Sequence, residues 1–422
     1  MGSPIDSWIA ERSGLGHPVD PAELAAWQGL RLREALARAF AHSPFYRRRL
    51  SGIDLEGGGD RELLERIPFT YPAQLVNEGP AFLCLPPEAV ARIASLYSSG
   101  TEGTHKRVYF SAADLERTVD FFDFGMRELV EPGDRCLVLF SSRTEHSIAR
   151  LLETALARRG IATIIREPAW GASEALDAAG DCDCIVGMPA QLHYLSRLAP
   201  RLRPKTVLLS ADYVPRSIVG ALEAAWPCRV FSHYGMTELG YGCAVQCAGR
   251  EGHHLRSLDH IIEIVDPNSG RVLAPGNEGE LVITTLRNEA MPLFRYRTGD
   301  RSSLCAEPCV CGSALPRLQA VTGRIAGIHE AAAVGCPSIH ELDELLFSIP
   351  SLRNYEARLG GLPSAMQLRI NADLEEGGEP EAIERRLRER LPPGLGLELD
   401  RTTIDPIRTQ GKRRITREME AR

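Results

Sequence analysis

Apolar residues Leu24, Trp27, Leu30, Leu32, Leu36 and Phe40 recur near a 3.6-residue period with arginines between them, which predicts helix from residue 21 to residue 50. Gly57-Gly58-Gly59 ends that pattern as a loop. Ser111 to Asp114 has the form of a capping box with Asp in place of Glu, so a helix is expected to start there. Short apolar runs then alternate with helical segments: residues 135–140, 161–165, 184–187 and 206–210 read as strands, and 147–159 as a helix. Strands separated by helices of about 10–15 residues argue for βαβ units and a mainly parallel sheet.

After Glu238 the pattern changes. Residues 261–265 and 271–273 flank the turn Asp266-Pro-Asn-Ser-Gly270 as a β-hairpin, and 280–285 is a further strand, so a β-rich subdomain is expected from about residue 239. Past Gly323-Arg324 short elements resume, with helix at 340–347, strand at 366–370 and helix at 380–391. The expected fold is α/β: a large domain over 1–324, then a small α+β domain over 325–422.

The 422 residues are too many for one core, and 44% hydrophobic with 25% charged is ordinary for a globular protein. A net charge of −7 argues against a nucleic-acid partner. No run approaches the roughly 20 apolar residues that span a bilayer. Met1-Gly2-Ser3-Pro4-Ile5-Asp6 is neither a signal peptide nor a myristoylation site, so no membrane association and a cytoplasmic location are expected. Eleven cysteines, an odd and modest number, do not suggest a disulfide framework; Cys182 and Cys184 read as packing on a strand.

Chemistry concentrates in a few runs. Ser98-Ser99-Gly100-Thr101-Glu102-Gly103-Thr104-His105-Lys106 offers backbone N–H groups, hydroxyls and an ammonium to an anion, without the Walker ending. Ser232-His233-Tyr234-Gly235-Met236-Thr237-Glu238 offers a ring, a hydroxyl and a carboxylate. Cys309-Val-Cys311-Gly312 has the form of a metal knuckle, and Cys247 precedes Gly252-His253-His254.

With Tyr296-Arg-Thr-Gly-Asp300, Gly323-Arg324 and Gly411-Lys412 following in order, the chain resembles the adenylate-forming superfamily of acyl-CoA synthetases, luciferases and peptide-synthetase adenylation domains, in particular its phenylacetate–CoA ligase branch. The resemblance runs from about residue 41 onward. It implies that Ser98, Ser99, Gly100, Thr101, Gly103, Thr104 and Lys106 hold the β- and γ-phosphates of ATP. Ser210-Ala211-Asp212 would line the adenine pocket, replacing Gly-Ala-Glu. Tyr234, within His233-Tyr234-Gly235-Met236, would stack on adenine, with Thr237 at the α-phosphate and Glu238 on Mg²⁺. Asp300 would accept both ribose hydroxyls, Arg324 approach the ribose and α-phosphate, and Lys412 bridge carboxylate and α-phosphate. Relatives with a similar cysteine pattern imply Cys247, His254, Cys309 and Cys311 as ligands of a structural Zn²⁺, with Cys305 and His253 as spares.

The activity implied is an AMP-forming carboxylic acid–CoA ligase, acting on an aryl or related acid and using ATP, Mg²⁺ and CoA. Residues after Phe140, including His146, read as helical and as lining for the acid. Homodimerisation is left open. Three departures bear on this. Glu102 stands where relatives have Ser or Thr. Ala326 replaces the hinge carboxylate, leaving Gly327 to carry rotation. The CoA-channel loop retains only Gly335. An adenylyltransferase that does not use CoA, or a degenerate nucleotide-binding protein, is the alternative.

Overall fold

The capping box at Ser111 closes in both directions. Its Oγ accepts from the N–H of Asp114 at 3.0 Å, and Asp114 Oδ2 accepts from the N–H of Ser111 at 2.9 Å, starting the helix Ala112–Gly125. The same carboxylate accepts from the N–H groups of Glu289 and Ala290, so one side chain caps a helix and pins a distant loop. The computed structural model describes residues 2–97, 105–167, 171–333, 335–361, 366–392, 394–404 and 412–417. The chain gathers into two units: Met1–Glu128 with Arg150–Arg158 and His233–Val321, and Leu129–Ala149 with Arg159–Ser232 and Thr322–Arg422.

In the first unit the helix expected over 21–50 is two helices, Pro21–His42 and Pro44–Arg49. Pro44 has no N–H to continue the ladder and disfavours helical backbone at Ser43, whose hydroxyl instead accepts from the N–H of Tyr46. Phe45, Tyr46, Phe82 and Phe294 form a buried aromatic cluster against these helices. The strands Arg92–Tyr97 and His105–Phe110 pair antiparallel, and the loop between them, 98–104, lies outside the described residues. His260–Val265, Gly279–Thr285 and Tyr296–Ser302 form an antiparallel array, so the chain is β-rich where the pattern predicted it. The expected hairpin turn is held by Asp266, which accepts from the N–H groups of Asn268 and Ser269.

In the second unit the parallel sheet runs in the spatial order Ala162–Ile165, Arg135–Val138, Cys184–Gly187, Thr206–Leu209, then the strand beginning at Arg229. The helix Ile148–Ala157, whose residues from Arg150 on belong to the first unit, begins later than the stretch expected to be helical after Phe140. Residues 141–147, His146 included, are irregular. Leu352–Gly360 and Gln367–Leu374 pair antiparallel, flanked in parallel by Ile415–Arg417 and Gly396–Arg401. Leu192, Leu195, Ile218 and Trp226 share one buried core with Leu342, Leu346, Phe347 and Tyr355. Among the described residues no helix is long and apolar enough to cross a membrane.

Candidate active site and metal centre

Glu238 sits on the short 3-10 turn Thr237–Leu239, which Gly240 ends in the left-handed region at φ +71°. A side chain at Gly240 would meet Thr118 Oγ1 at 2.8 Å, so the tight turn and the close neighbour both require glycine. The turn buries the Glu238 carboxylate against the ammonium of Lys106, and the Tyr296 hydroxyl donates to the same Oε1 at 3.1 Å. Burial alone would raise the carboxyl's pKa. The field and hydrogen bond of Lys106, helped by backbone and Tyr296 donors, outweigh it and hold Glu238 below its ordinary value. The group is therefore anionic at neutral pH, as a Mg²⁺ ligand must be.

The neighbouring ring is fixed by a second carboxylate. Tyr234 donates its hydroxyl to Asp300 Oδ2 at 2.8 Å, and Asp300 is buried with its own N–H on Thr298 Oγ1. Burial, with Asp300 nearby, lifts the Tyr234 phenol well above its usual pKa, so it stays neutral and donating. Gly235 has no room for any side chain: a Cβ there would lie 1.7 Å from the carbonyl oxygen of Tyr241. His233 and Met236 are buried on either side, and burial pushes His233 down to about 3.

Lys106, Tyr234, Thr237, Glu238 and Asp300 thus all fall in the first unit, where the Tyr296 hydroxyl meets both Lys106 and Glu238. Tyr296 was legible only as part of its motif and not as a partner of Glu238. Ser98 to Thr104, Glu102 included, lie outside the described residues.

The other expected residues belong to the second unit. Ala211 follows buried Ser210 and holds φ +71°, a backbone that non-glycine residues adopt at a cost of about 1–3 kcal/mol and mostly in functional loops. Asp212 accepts from the N–H of Tyr213 at 2.9 Å and from that of Arg413 at 2.8 Å. Burial still lifts its carboxyl to about 6. Lys412 is exposed, and its neighbour Arg413 was not singled out by the sequence. The Arg413 guanidinium donates to Asp343 Oδ1, Asn354 Oδ1 and the Tyr355 carbonyl. Arg324 is exposed, and Gly323 packs on the His340 ring. Ala326 and Gly327 lie inside the helix Ile325–Ala333, and Gly335 takes φ +66° beside Pro392.

A second constellation lies in the first unit. Ligand atoms of Cys247, His254, Cys309 and Cys311 all fall within 4.8 Å of one another. Cys247 and Cys309 sulfurs are 3.6 Å apart, and Cys311 Sγ is 3.6 Å from His254 Nε2. Tetrahedral Zn²⁺, with bonds of about 2.3 Å to sulfur and about 2.0–2.1 Å to nitrogen, puts sulfur about 3.8 Å from sulfur and about 3.6 Å from nitrogen. The set fits zinc in spacing and chemistry. Gly312, at φ +88°, closes the Cys-x-Cys-Gly knuckle, and the Gly249 N–H points at Cys247 Sγ. Burial holds His254 down to about 4, hence neutral, and pushes the Cys311 thiol up to about 12. Of the spares, His253 turns Nδ1 to the Leu318 carbonyl, and Cys305 is outside the group.

Comparison with known proteins settles the family. A family model described as AMP-binding enzyme matches residues 72–287. The phenylacetate-coenzyme A ligase of Thermus thermophilus is 30% identical over 72% of this chain and 70% of its own length. The chain belongs to the AMP-binding enzyme family. The phenylacetate-coenzyme A ligase of Escherichia coli is 28% identical over 68% of this chain and 69% of its own. Among solved structures, 2-hydroxyisobutyryl-CoA ligase with an acyl-AMP superposes at TM-score 0.76 and 19% identity, covering 93% of this chain and 89% of that one. At that identity the match speaks to fold, and the fold is that of the adenylate-forming CoA ligases.

Proposed function

We infer that this AMP-binding family member is an ATP-dependent, AMP-forming carboxylic acid–CoA ligase. The carboxylate attacks the α-phosphorus of ATP and releases pyrophosphate. The CoA thiol then attacks the acyl-adenylate carbonyl and releases AMP. The observation that carries this reading is the pairing of two buried carboxylates with different partners. Asp300 faces a tyrosine hydroxyl and suits a ribose diol. Glu238 faces a lysine and suits a cation among phosphates.

Adenylation of this kind rests on positioning and charge neutralisation rather than on covalent help from the protein. We assign Tyr234, with His233, Gly235 and Met236, to the adenine. Ser210, Ala211 and Asp212 belong to the same subsite. Asp300 and Arg324 are assigned to the ribose, and Thr237 and Lys412 to the α-phosphate. Ser98, Ser99, Gly100, Thr101, Gly103, Thr104 and Lys106 are assigned to the outer phosphates. Mg²⁺, when bound, neutralises phosphate charge, and Glu238 is the residue that would hold it. Lys106 already contacts that carboxylate, so nucleotide entry must divide the ammonium between Glu238 and phosphate oxygens.

The acid is assigned to the aryl or related class, by the phenylacetate-type relatives. Residues 325–422 are read as the lid domain, and Cys247, His254, Cys309 and Cys311 as a closed structural zinc site. A cytoplasmic location, where both ATP and CoA are at hand, fits this reading. The test is pyrophosphate exchange across a panel of aryl and aliphatic acids, with thioester measured with and without CoA. Acid-dependent exchange with thioester formation is expected. Adenylate without thioester for every acid would transfer the reading to adenylyl transfer, and no exchange at all would leave a nucleotide-binding protein.

A further inference from the structure

The metal constellation leaves one ring atom facing away from its sulfurs. His254 turns Nε2 toward Cys311, and its Nδ1 lies 3.8 Å from Oδ1 of Asp6, near the start of the chain. Both atoms are fully buried, and neither has a hydrogen-bond partner among the described residues. A buried acceptor without a donor and a buried ring nitrogen without a partner are each costly alone. Side by side they are the two halves of one hydrogen bond, which a shift of about 1 Å would make.

Asp6 is held for this task. Its Oδ2 accepts from the N–H of Ser3 at 3.1 Å, the reciprocal half of the capping box that starts the helix Pro4–Ser13. That fixes the carboxylate and leaves Oδ1 aimed at the imidazole. The helix is itself anchored: Ile5, Trp8 and Ile9 are buried, and Trp8 Nε1 donates to Asp120 Oδ2 at 2.8 Å.

We propose that Asp6 is a positioning residue of the metal centre, accepting the Nδ1 proton of His254 so that Nε2 keeps its lone pair for zinc. The proposal rests on the zinc reading above. A neutral imidazole carries one N–H, and if Nε2 holds it the ring cannot ligate through that atom. The carboxylate also makes the ring a stronger base toward the metal. In consequence the first helix is coupled to metal loading, and zinc ties residues 247–254 and 309–311 to the chain start through one side chain.

The experiment measures zinc affinity by chelator competition for the wild-type chain, Asp6→Asn and Ser3→Ala. The amide of Asp6→Asn still accepts from Ser3, but its NH₂ can only donate toward Nδ1, which favours the wrong tautomer. Affinity should drop about 10–100-fold. Ser3→Ala weakens the cap but keeps the carboxylate, so stability should fall with zinc affinity unchanged. In the wild type, stripping zinc should speed amide exchange over residues 4–13. Wild-type zinc affinity in Asp6→Asn overturns the proposal while leaving the metal centre standing. A wild-type chain that binds no zinc overturns both. If Asp6→Asn does not fold, exchange over 4–13 that ignores zinc removal overturns it instead.

Discussion

Arg413→Met tests how the segment beside Lys412 is held. The guanidinium donates to Asp343 Oδ1 at 2.8 Å, Asn354 Oδ1 at 3.0 Å and the Tyr355 carbonyl at 3.1 Å. It also lies over the rings of Tyr355 and Phe347, 4.3 and 4.9 Å from their centroids. Asp343, Asn354 and Tyr355 are at most 2% exposed, so no water replaces what methionine removes. Methionine keeps most of the apolar contact, and the loss is therefore electrostatic. Among the described residues Asp343 would be left with one side-chain donor, the Tyr355 hydroxyl. Breaking a buried pair by removing one partner costs about 3–5 kcal/mol, or roughly two to three and a half decades in the folding constant.

Burial already lifts the Asp343 carboxyl above its ordinary value, with Arg413 opposing. Without Arg413 it rises further, so the native state holds a proton that the unfolded chain releases. That deficit is then present above the unfolded carboxylate pKa and shrinks as pH falls toward it. Urea unfolding at pH 7 and pH 5 should show the larger loss at pH 7. Asp343→Asn in the Arg413→Met background should recover most of it. A loss under about 1 kcal/mol, or one that Asp343→Asn does not relieve, would refute the reasoning. Adenylate formation should fall in Arg413→Met as well, because the anchored backbone N–H on Asp212 adjoins Lys412.

Gly235→Ala, whose Cβ meets the Tyr241 carbonyl, should cost about 1–3 kcal/mol and weaken ATP binding in calorimetric titration. Unchanged affinity would place the turn away from nucleotide. Tyr296→Phe removes one donor to a buried carboxylate and should cost about 1.5–3 kcal/mol by urea unfolding. Cys311→Ser should lower zinc content by elemental analysis and thermal stability before it alters nucleotide affinity. His193 is buried with Nε2 on the Leu352 carbonyl, and burial holds it down to about 4. A folded value below the unfolded 6.5 keeps this stability whole above pH 6.5 and loses it toward pH 4, about 3 kcal/mol in all. His193→Phe should flatten that part of the pH–stability curve.

What the sequence made legible and what it hid divide by range. The Ser111 capping box and the Asp266 turn lie within a few residues of their partners, and both close as their spelling predicts. The parallel sheet was legible because each of its strands is a short apolar run, and the Cys/His cluster because two of its members fall in one Cys-x-Cys-Gly turn. Where local chemistry competed with periodicity, periodicity misled: Pro44 splits the helix that apolar spacing carries through it. The helix read over 147–159 forms as Ile148–Ala157, while residues 141–147, expected to be helical as lining for the acid, are irregular. The hidden residues are polar side chains whose meaning depends on a distant partner. Arg413 looks like one of several tail cations until its N–H is placed on Asp212, 201 residues away. Asp6 looks like an ordinary cap until its second oxygen is found facing His254. Both support residues that motifs did reveal. A motif is short because it records the groups that meet a ligand, whereas the groups that hold them come from wherever the fold delivers a complementary atom. Variants at Asp6 and Arg413 should therefore change how well Lys412 and His254 are presented, while leaving every motif in the chain intact.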